Sequence, residues 1–270
     1  MKAQETYTKF AKFYDAYTAQ YADDIPFYLA ALTGRKGPLI EVGCGSGRIL
    51  KALIRAGHTV TGVDASESML ALAQEKLEQV AHGQSCTLIL HDFSGAPLPQ
   101  KYEAALVTFY TFNYIHPDQR LRLLNNLGRS LADGSLIILH LFYPDPLAHP
   151  DLAGKWQQKG CYRIDGEAVT LHDYRRMLDY NTEERIQRYI YGSGVNEEIQ
   201  TERYYLSSAE ISELLNAAGF DRVQATWDLQ FEHLEPLVGQ REMAGEFMVV
   251  AERRVSNGTG THNSKVGVVH

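Results

Sequence analysis

The sequence predicts an α/β fold, a doubly wound and mostly parallel sheet that carries an antiparallel β insertion. Two observations lead there. From residue 38 to 142, short and nearly all-apolar stretches alternate with segments of helical period, as expected for strands buried on both faces by helices. From 167 to 206 this rhythm gives way to alternating apolar and polar residues between polar turns, as expected for antiparallel strands with one wet face.

Residues 5–32 carry Phe10, Phe13, Tyr14, Tyr17 and Tyr21 at intervals of three and four, which places several rings on one helical face; Pro26 divides the segment. A turn at 34–38 leads into a strand ending at 42. Residues 48–56 set Ile49, Leu50, Leu53 and Ile54 on one side, and Gly57 suits the helix C-terminus. A second strand spans 59–64, and Ser66 caps a helix to about Val80. Strands follow at 87–91 and 104–110. Pro117 opens a helix to Leu131, closed by Gly134, before a strand at 135–142. The insertion holds three expected strands, 168–178, 185–191 and 199–206. Ser207 and Glu210 form a capping box for a helix ending at Gly219, and strands at 222–229 and 246–253 complete the sheet.

Composition narrows the function classes. The 270 residues carry a formal charge of -7, which gives no general attraction to nucleic-acid phosphates or anionic membranes. Three cysteines (Cys44, Cys86, Cys161) without CxxC spacing indicate neither a disulfide framework nor a zinc site, and no metal is expected. With no signal-peptide pattern and no long apolar stretch, a cytoplasmic protein is expected.

The segment Glu41-Val-Gly-Cys-Gly-Ser-Gly47 joins a strand to a helix. Glycines at 43, 45 and 47 permit positive φ and close approach of a ligand, at a helix start with free amide N–H groups. A dinucleotide fingerprint G-x-G-x-x-G is not met: from Gly43 the last position is Arg48, and from Gly45 it is Leu50. Asp64 ends the second strand, where an acid can accept both ribose hydroxyls or simply sit at a helix start. Asp92 ends the third strand beside Phe93, suited to an adenine amino group or to an ordinary turn. Together these acids follow successive strand C-termini, where open parallel sheets bind ligands.

The stretches EVGCGSG (41–47), GVDAS (62–66) and HDF (91–93) resemble the class I S-adenosylmethionine-dependent methyltransferases of the small-molecule N- and O-methylating type. The resemblance covers about residues 5–143 and resumes at 207–252. It implies the Rossmann-like methyltransferase fold, a seven-stranded sheet whose last strand is antiparallel, and S-adenosyl-L-methionine as cofactor. It also implies that Glu41, Gly43, Cys44, Gly45 and Gly47 meet the methionyl part, Asp64 with Ala65 the ribose, and Asp92 with Phe93 the adenine, with Met69 packed nearby. The expected division is an N-terminal helical lid at 1–36, a cofactor-binding domain at 37–145 and 207–253, an inserted substrate-cover or dimerisation element at 146–206, and a disordered tail at 254–270.

Methyl transfer needs alignment and water exclusion more than a fixed base, so acceptor-side candidates come from position. Phe109, at the end of the fourth strand, is a cofactor-binding candidate, and Phe112, Asn113 and Tyr114 follow it, where aromatic faces and carbonyl dipoles suit a sulfonium. His116 is either a general base or the residue leading into the helix at Pro117. His140 is either catalytic or a satisfied buried histidine, and Tyr143 ends the same strand. Tyr14, Tyr17 and Tyr21 either close over the cofactor, with Tyr14 supported by the resemblance, or belong to a core stripe; Tyr14 is also a catalytic candidate and Tyr21 a substrate-binding one. His172 in the insertion, which resembles substrate-covering insertions of sugar and glycine-type N-methyltransferases, is a substrate-side candidate. The expected partner is a small-molecule methyl acceptor bound by a monomer or homodimer. The competing functions are RNA or protein methylation, disfavoured by the acidic balance, and a non-methylating regulator or cyclase on the same scaffold.

Overall fold

The computed structural model describes residues 11–18, 20–80, 86–144, 154–194, 196–237 and 244–255. The expected start of the N-terminal helix, part of the insertion's lead-in and nearly all of the tail lie outside the described residues.

Residues 11–18 are helical, and α1 (Ile25–Ala31) follows with Pro26 in its first turn. The alternating region then runs β1 (Leu39–Val42), α2 (Arg48–Arg55), β2 (Val60–Asp64), α3 (Glu67–Glu78), β3 (Cys86–Leu90), β4 (Tyr102–Val107), α4 (Pro117–Ser130) and β5 (Leu131–Tyr143). The insertion is a four-stranded antiparallel sheet: β6 (Gln157–Ile164), β7 (Glu167–Met177), β8 (Thr182–Tyr191) and β9 (Asn196–Tyr204). Then come α5 (Ser208–Ala217), β10 (Phe220–Thr226), the two-residue β11 (Glu235–Pro236) and β12 (Gly245–Arg253).

The main sheet has eight strands in the order β11-β10-β12-β5-β4-β1-β2-β3, parallel from β3 to β5 and antiparallel beyond. The expected seven are present, and short β11 adds an eighth at the edge of β10. Strand alternation sorts the core onto two faces. Ile40, Ala105, Val107, Ile137 and Leu139 pack with Leu123 and Leu127 of α4 and Ile211 and Leu215 of α5. Leu39, Ala104, Leu106 and Ile138 pack with Phe27 and Tyr28 of α1 and Leu50 and Leu53 of α2.

Strand ends shift by two or three residues at several places, the insertion holds four strands where three were expected, and some departures have local reasons. β4 stops at Val107 because Phe109 and Tyr110 take φ of 45° and 63°, which no strand accommodates; a 3-10 turn (Thr111–Tyr114) follows. β5 starts at Leu131 with shifted pairing between Tyr102 and Ala104, and Gly134 turns at φ 75° inside it. β6 has weak apolar alternation and a register shift between Gln158 and Gly160, so its pattern did not announce a strand. The capping box at Ser207 and Glu210 is present in full.

Candidate functional site

The glycine turn leaves the C-terminal end of β1 and opens α2. Gly43, Gly45 and Gly47 have φ of 72°, 53° and 80°. Gly47 is the N-cap of α2 and offers no side-chain cap, so the first amides of the helix face the turn without a protein partner of that kind. Asp64 at the end of β2 holds the turn: the Gly45 amide donates to Oδ2 at 2.8 Å and the Ser66 amide to Oδ1 at 2.9 Å. Burial raises the Asp64 pKa, against these backbone hydrogen bonds. The Ala65 amide also bonds this carboxylate, so three backbone donors hold it at the strand end.

A cavity of about 230 Å³ opens beside this turn. Gly43, Asp64, Ala65, Met69, Asp92 and Phe93 line it, as do Tyr14 and Phe109. Val42, Ile115 and Leu123 supply further apolar wall, and Ser66, Thr111 and Gln119 supply polar groups. Asp92 accepts the Ser94 amide at 2.8 Å in a tight turn, which fixes its carboxylate at the rim. Apolar walls flanked by one carboxylate at each of two strand ends fit an adenosine: ribose hydroxyls donate to one acid and an amino group to the other.

Glu41, Cys44, Gly45 and Gly47 are not on this wall. Glu41 and Cys44 face a small void of about 20 Å³ behind the turn, with Arg48 and Thr108. Glu41 is fully buried, accepts from Thr108 Oγ1 at 2.7 Å, and has no partner for Oε2; burial pushes its pKa up to about 8. Arg48, the residue that breaks the dinucleotide pattern, forks onto both oxygens of Asp24 at 2.6 and 2.7 Å.

A second cavity of about 350 Å³ lies between the main sheet and the inner face of the small sheet. Tyr14, Phe109 and Tyr114 line both cavities and form the wall between them. Tyr17, Tyr21, Tyr110, Phe142 and Tyr189 add aromatic surface, and Lys159, Asp173, Arg175, Arg185, Arg203 and Glu246 add charge.

Several acceptor-side expectations fare differently. Tyr21 and Tyr114 line the second cavity. His116 does not: its Nδ1 accepts the Asp118 amide at 3.4 Å as the N-cap of α4, half exposed, so the helix-leading reading is the one seen. Asn113 is a structural bracket, donating to the carbonyls of Phe142 and Tyr204 and accepting the Phe142 amide. Phe112 is wholly buried beneath Arg120, and Tyr143 packs against the main core. His172 is on the opposite face of β7 from Leu171, Asp173 and Arg175, the side chains that turn inward.

His140 is 1% exposed and lines neither cavity, lying behind the Tyr110 and Glu246 wall of the second. Its Nδ1 is 3.0 Å from the Tyr28 hydroxyl and 3.5 Å from Asp24, and Nε2 is 3.6 Å from Glu246, an ion-pair distance. Burial opposes its charge, but the Asp24 and Glu246 carboxylates prevail and raise its pKa. Glu246 in turn is lowered by His140, against its partial burial, and accepts a hydrogen bond from Tyr110. Arg48, Asp24, His140 and Glu246 thus form a row of alternating basic and acidic groups beside the second cavity. Sequence reading missed Glu246 and the insertion's arginines; β12 brings Glu246 opposite Phe142 of β5 across more than 100 residues, which no local pattern signals.

Residues 39–134 match the methyltransferase domain family. The chain is 26% identical over 180 residues to an uncharacterized methyltransferase of Staphylococcus carnosus, covering 63% of this chain and 83% of that relative. In two further curated relatives the match takes in 58% and 61% of their length. Among solved structures, a S-adenosylmethionine-dependent methyltransferase from Clostridium acetobutylicum has the same fold, with a TM-score of 0.73, 16% identity, and coverage of 92% of this chain and 99% of that one. The sugar N-methyltransferase of Streptoalloteichus sp. gives 0.69 at 18% identity, covering 90% and 92%.

Proposed function

We propose that this chain, which carries the methyltransferase domain of the class I S-adenosylmethionine-dependent enzymes, transfers a methyl group to a nitrogen or oxygen of a small polar metabolite held in the second cavity. The observation that carries this reading is the shared wall of Tyr14, Phe109 and Tyr114 between the cavity beside the glycine turn and the aromatic and charged one under the small sheet. S-adenosylmethionine supplies an electrophilic methyl on a sulfonium. The residues do the rest by holding and aligning. Asp64 is the ribose acceptor and Asp92 the adenine acceptor, with Met69 and Phe93 against the ring. Tyr14, Phe109 and Tyr114 present aromatic faces that favour a cation, and their closure keeps water from the reacting line.

Glu246 favours nitrogen as the acceptor atom. Held as a carboxylate by His140 and Tyr110, it attracts an ammonium and can take the proton that an amine must lose before it attacks. Likeness of fold to a sugar N-methyltransferase agrees with this choice.

Isothermal titration with S-adenosylmethionine and its demethylated product tests the cofactor half. Both should bind, and Asp64→Ala should cost about 1–3 kcal/mol through the lost acceptor. No binding up to millimolar concentration would sink the reading, and unchanged affinity in the variant would show that Asp64 is not the ribose acceptor. Transfer of labelled methyl to a panel of small amines and alcohols tests the other half.

A further inference from the structure

The inner face of the small sheet gathers Arg175 of β7, Arg185 of β8 and Arg203 of β9 at the wall of the second cavity. Antiparallel register sets Arg175 opposite Arg185 and Glu183 opposite Arg203. Two of the three guanidiniums are matched. Arg175 forks onto Glu183 at 3.0 and 2.6 Å, and Arg185 forks onto Asp173 at 2.8 and 3.1 Å. Glu183 Oε2 also accepts the Tyr205 hydroxyl at 2.5 Å.

Arg203 is the third. Its Nε donates to the Tyr114 hydroxyl at 2.7 Å, and its guanidinium lies 5.0 Å from the Tyr114 ring centre. Among the described residues no carboxylate comes within 4.0 Å of it, although it is only 9% exposed. Glu183 acts on Arg203 from the facing register position but is forked by Arg175, so three guanidiniums share two carboxylates and the set keeps one surplus buried positive charge. Such a charge is costly until a counter-ion joins it, and the planar fork of arginine favours the paired oxygens of a carboxylate or phosphate. Across the cavity Glu246 lies against His140 and Tyr110, and among the described residues no ion pair joins it to Arg203.

We propose that the acceptor carries an anionic oxygen group and that Arg203 binds it, making this residue a determinant of substrate choice. The inference rests on the methyl-transfer reading of the second cavity. Because Arg203 grips Tyr114, a residue of the wall shared with the first cavity, an anion held there directs the other end of the molecule toward that wall. The acceptor would then be a small compound with an amine at one end and a carboxylate or phosphate at the other.

The test is isothermal titration of acetate, inorganic phosphate and the neutral isostere acetamide into the full chain saturated with S-adenosylhomocysteine. Acetate or phosphate should bind and acetamide should not; whichever anion binds more tightly identifies the group. Arg203→Gln should weaken anion binding about tenfold or more, and Arg203→Lys should lose part of that, keeping charge without the fork. Acetamide binding as well as acetate, absence of binding by both anions, or full anion affinity in Arg203→Gln overturns the proposal. If that variant fails to fold, the acetate–acetamide contrast in the unaltered protein decides. S-adenosylhomocysteine affinity, measured first, separates the two readings: its absence defeats methyl transfer, whereas its presence without anion binding defeats only the role of Arg203.

Discussion

Glu41 shows how one residue can be legible in type and misplaced in role. Its position before the glycine turn marks it as part of the motif, yet it faces a void behind the turn with one oxygen unpartnered. Its folded pKa of about 8 stands above the ordinary 4.5, so the folded state holds a proton that the unfolded chain releases. The stabilising contribution is therefore complete below pH 4.5 and is lost as pH rises through 8. Glu41→Gln stays neutral, so its stability should fall less than that of the unaltered protein between pH 5 and pH 8 in urea unfolding. Parallel pH profiles would show that Glu41 titrates normally. The residues that were legible, Gly43, Asp64 and Asp92, follow strand ends, so chain position alone fixes their place. His140 and Glu246 were not, because their roles depend on which neighbours tertiary packing brings, and Asp24, Tyr28 and Tyr110 lie on other elements. For His116 the local cap with Asp118 is one of the two readings the sequence offers.

At the scale of elements, period decides what can be read. The parallel strands and their helices announce themselves through long apolar stretches and capping residues. The insertion's strands alternate, and there a one-residue choice of face reverses every assignment: His172 is the substrate-side candidate from sequence, but Asp173 and Arg175 are the ones turned inward. The β1–α2 turn permits a sharper test. Gly43 has φ of 72°, its amide donates to the Val63 carbonyl at 2.8 Å, and a Cβ there would lie 2.8 Å from Thr111 Oγ1. Gly43→Ala should cost about 1–2 kcal/mol for the left-handed backbone alone, with more from the crowding of Thr111. Urea unfolding should show this loss, together with weakened S-adenosylmethionine binding. A variant as stable as the parent would mean that the turn relaxes freely.

At the scale of the whole molecule, the helical segment 11–18 connects the two sheets. On one side Asp15 accepts from Ser46 of the glycine turn at 2.6 Å and pairs with Lys76 of α3, which also reaches Ser46 at 2.9 Å. On the other, Phe13 stacks on Tyr189 at 4.4 Å and joins the apolar cluster of Val169, Leu171 and Ile199. Between these two anchors Tyr14 lines both cavities. The anchors differ in strength. The Asp15–Lys76 pair is about a quarter exposed, in the class worth about 0–1 kcal/mol, whereas a buried phenylalanine truncated to alanine typically costs about 3–5 kcal/mol. The apolar anchor should therefore govern closure. Phe13→Ala is expected to raise amide hydrogen exchange across 11–18 and to weaken S-adenosylmethionine binding, since Tyr14 would spend less time on the shared wall, while Asp15→Ala should produce a smaller change of the same sign. If Asp15→Ala proves the more damaging, the segment is held by the glycine turn rather than by the insertion, and the two sheets are coupled through the cofactor side.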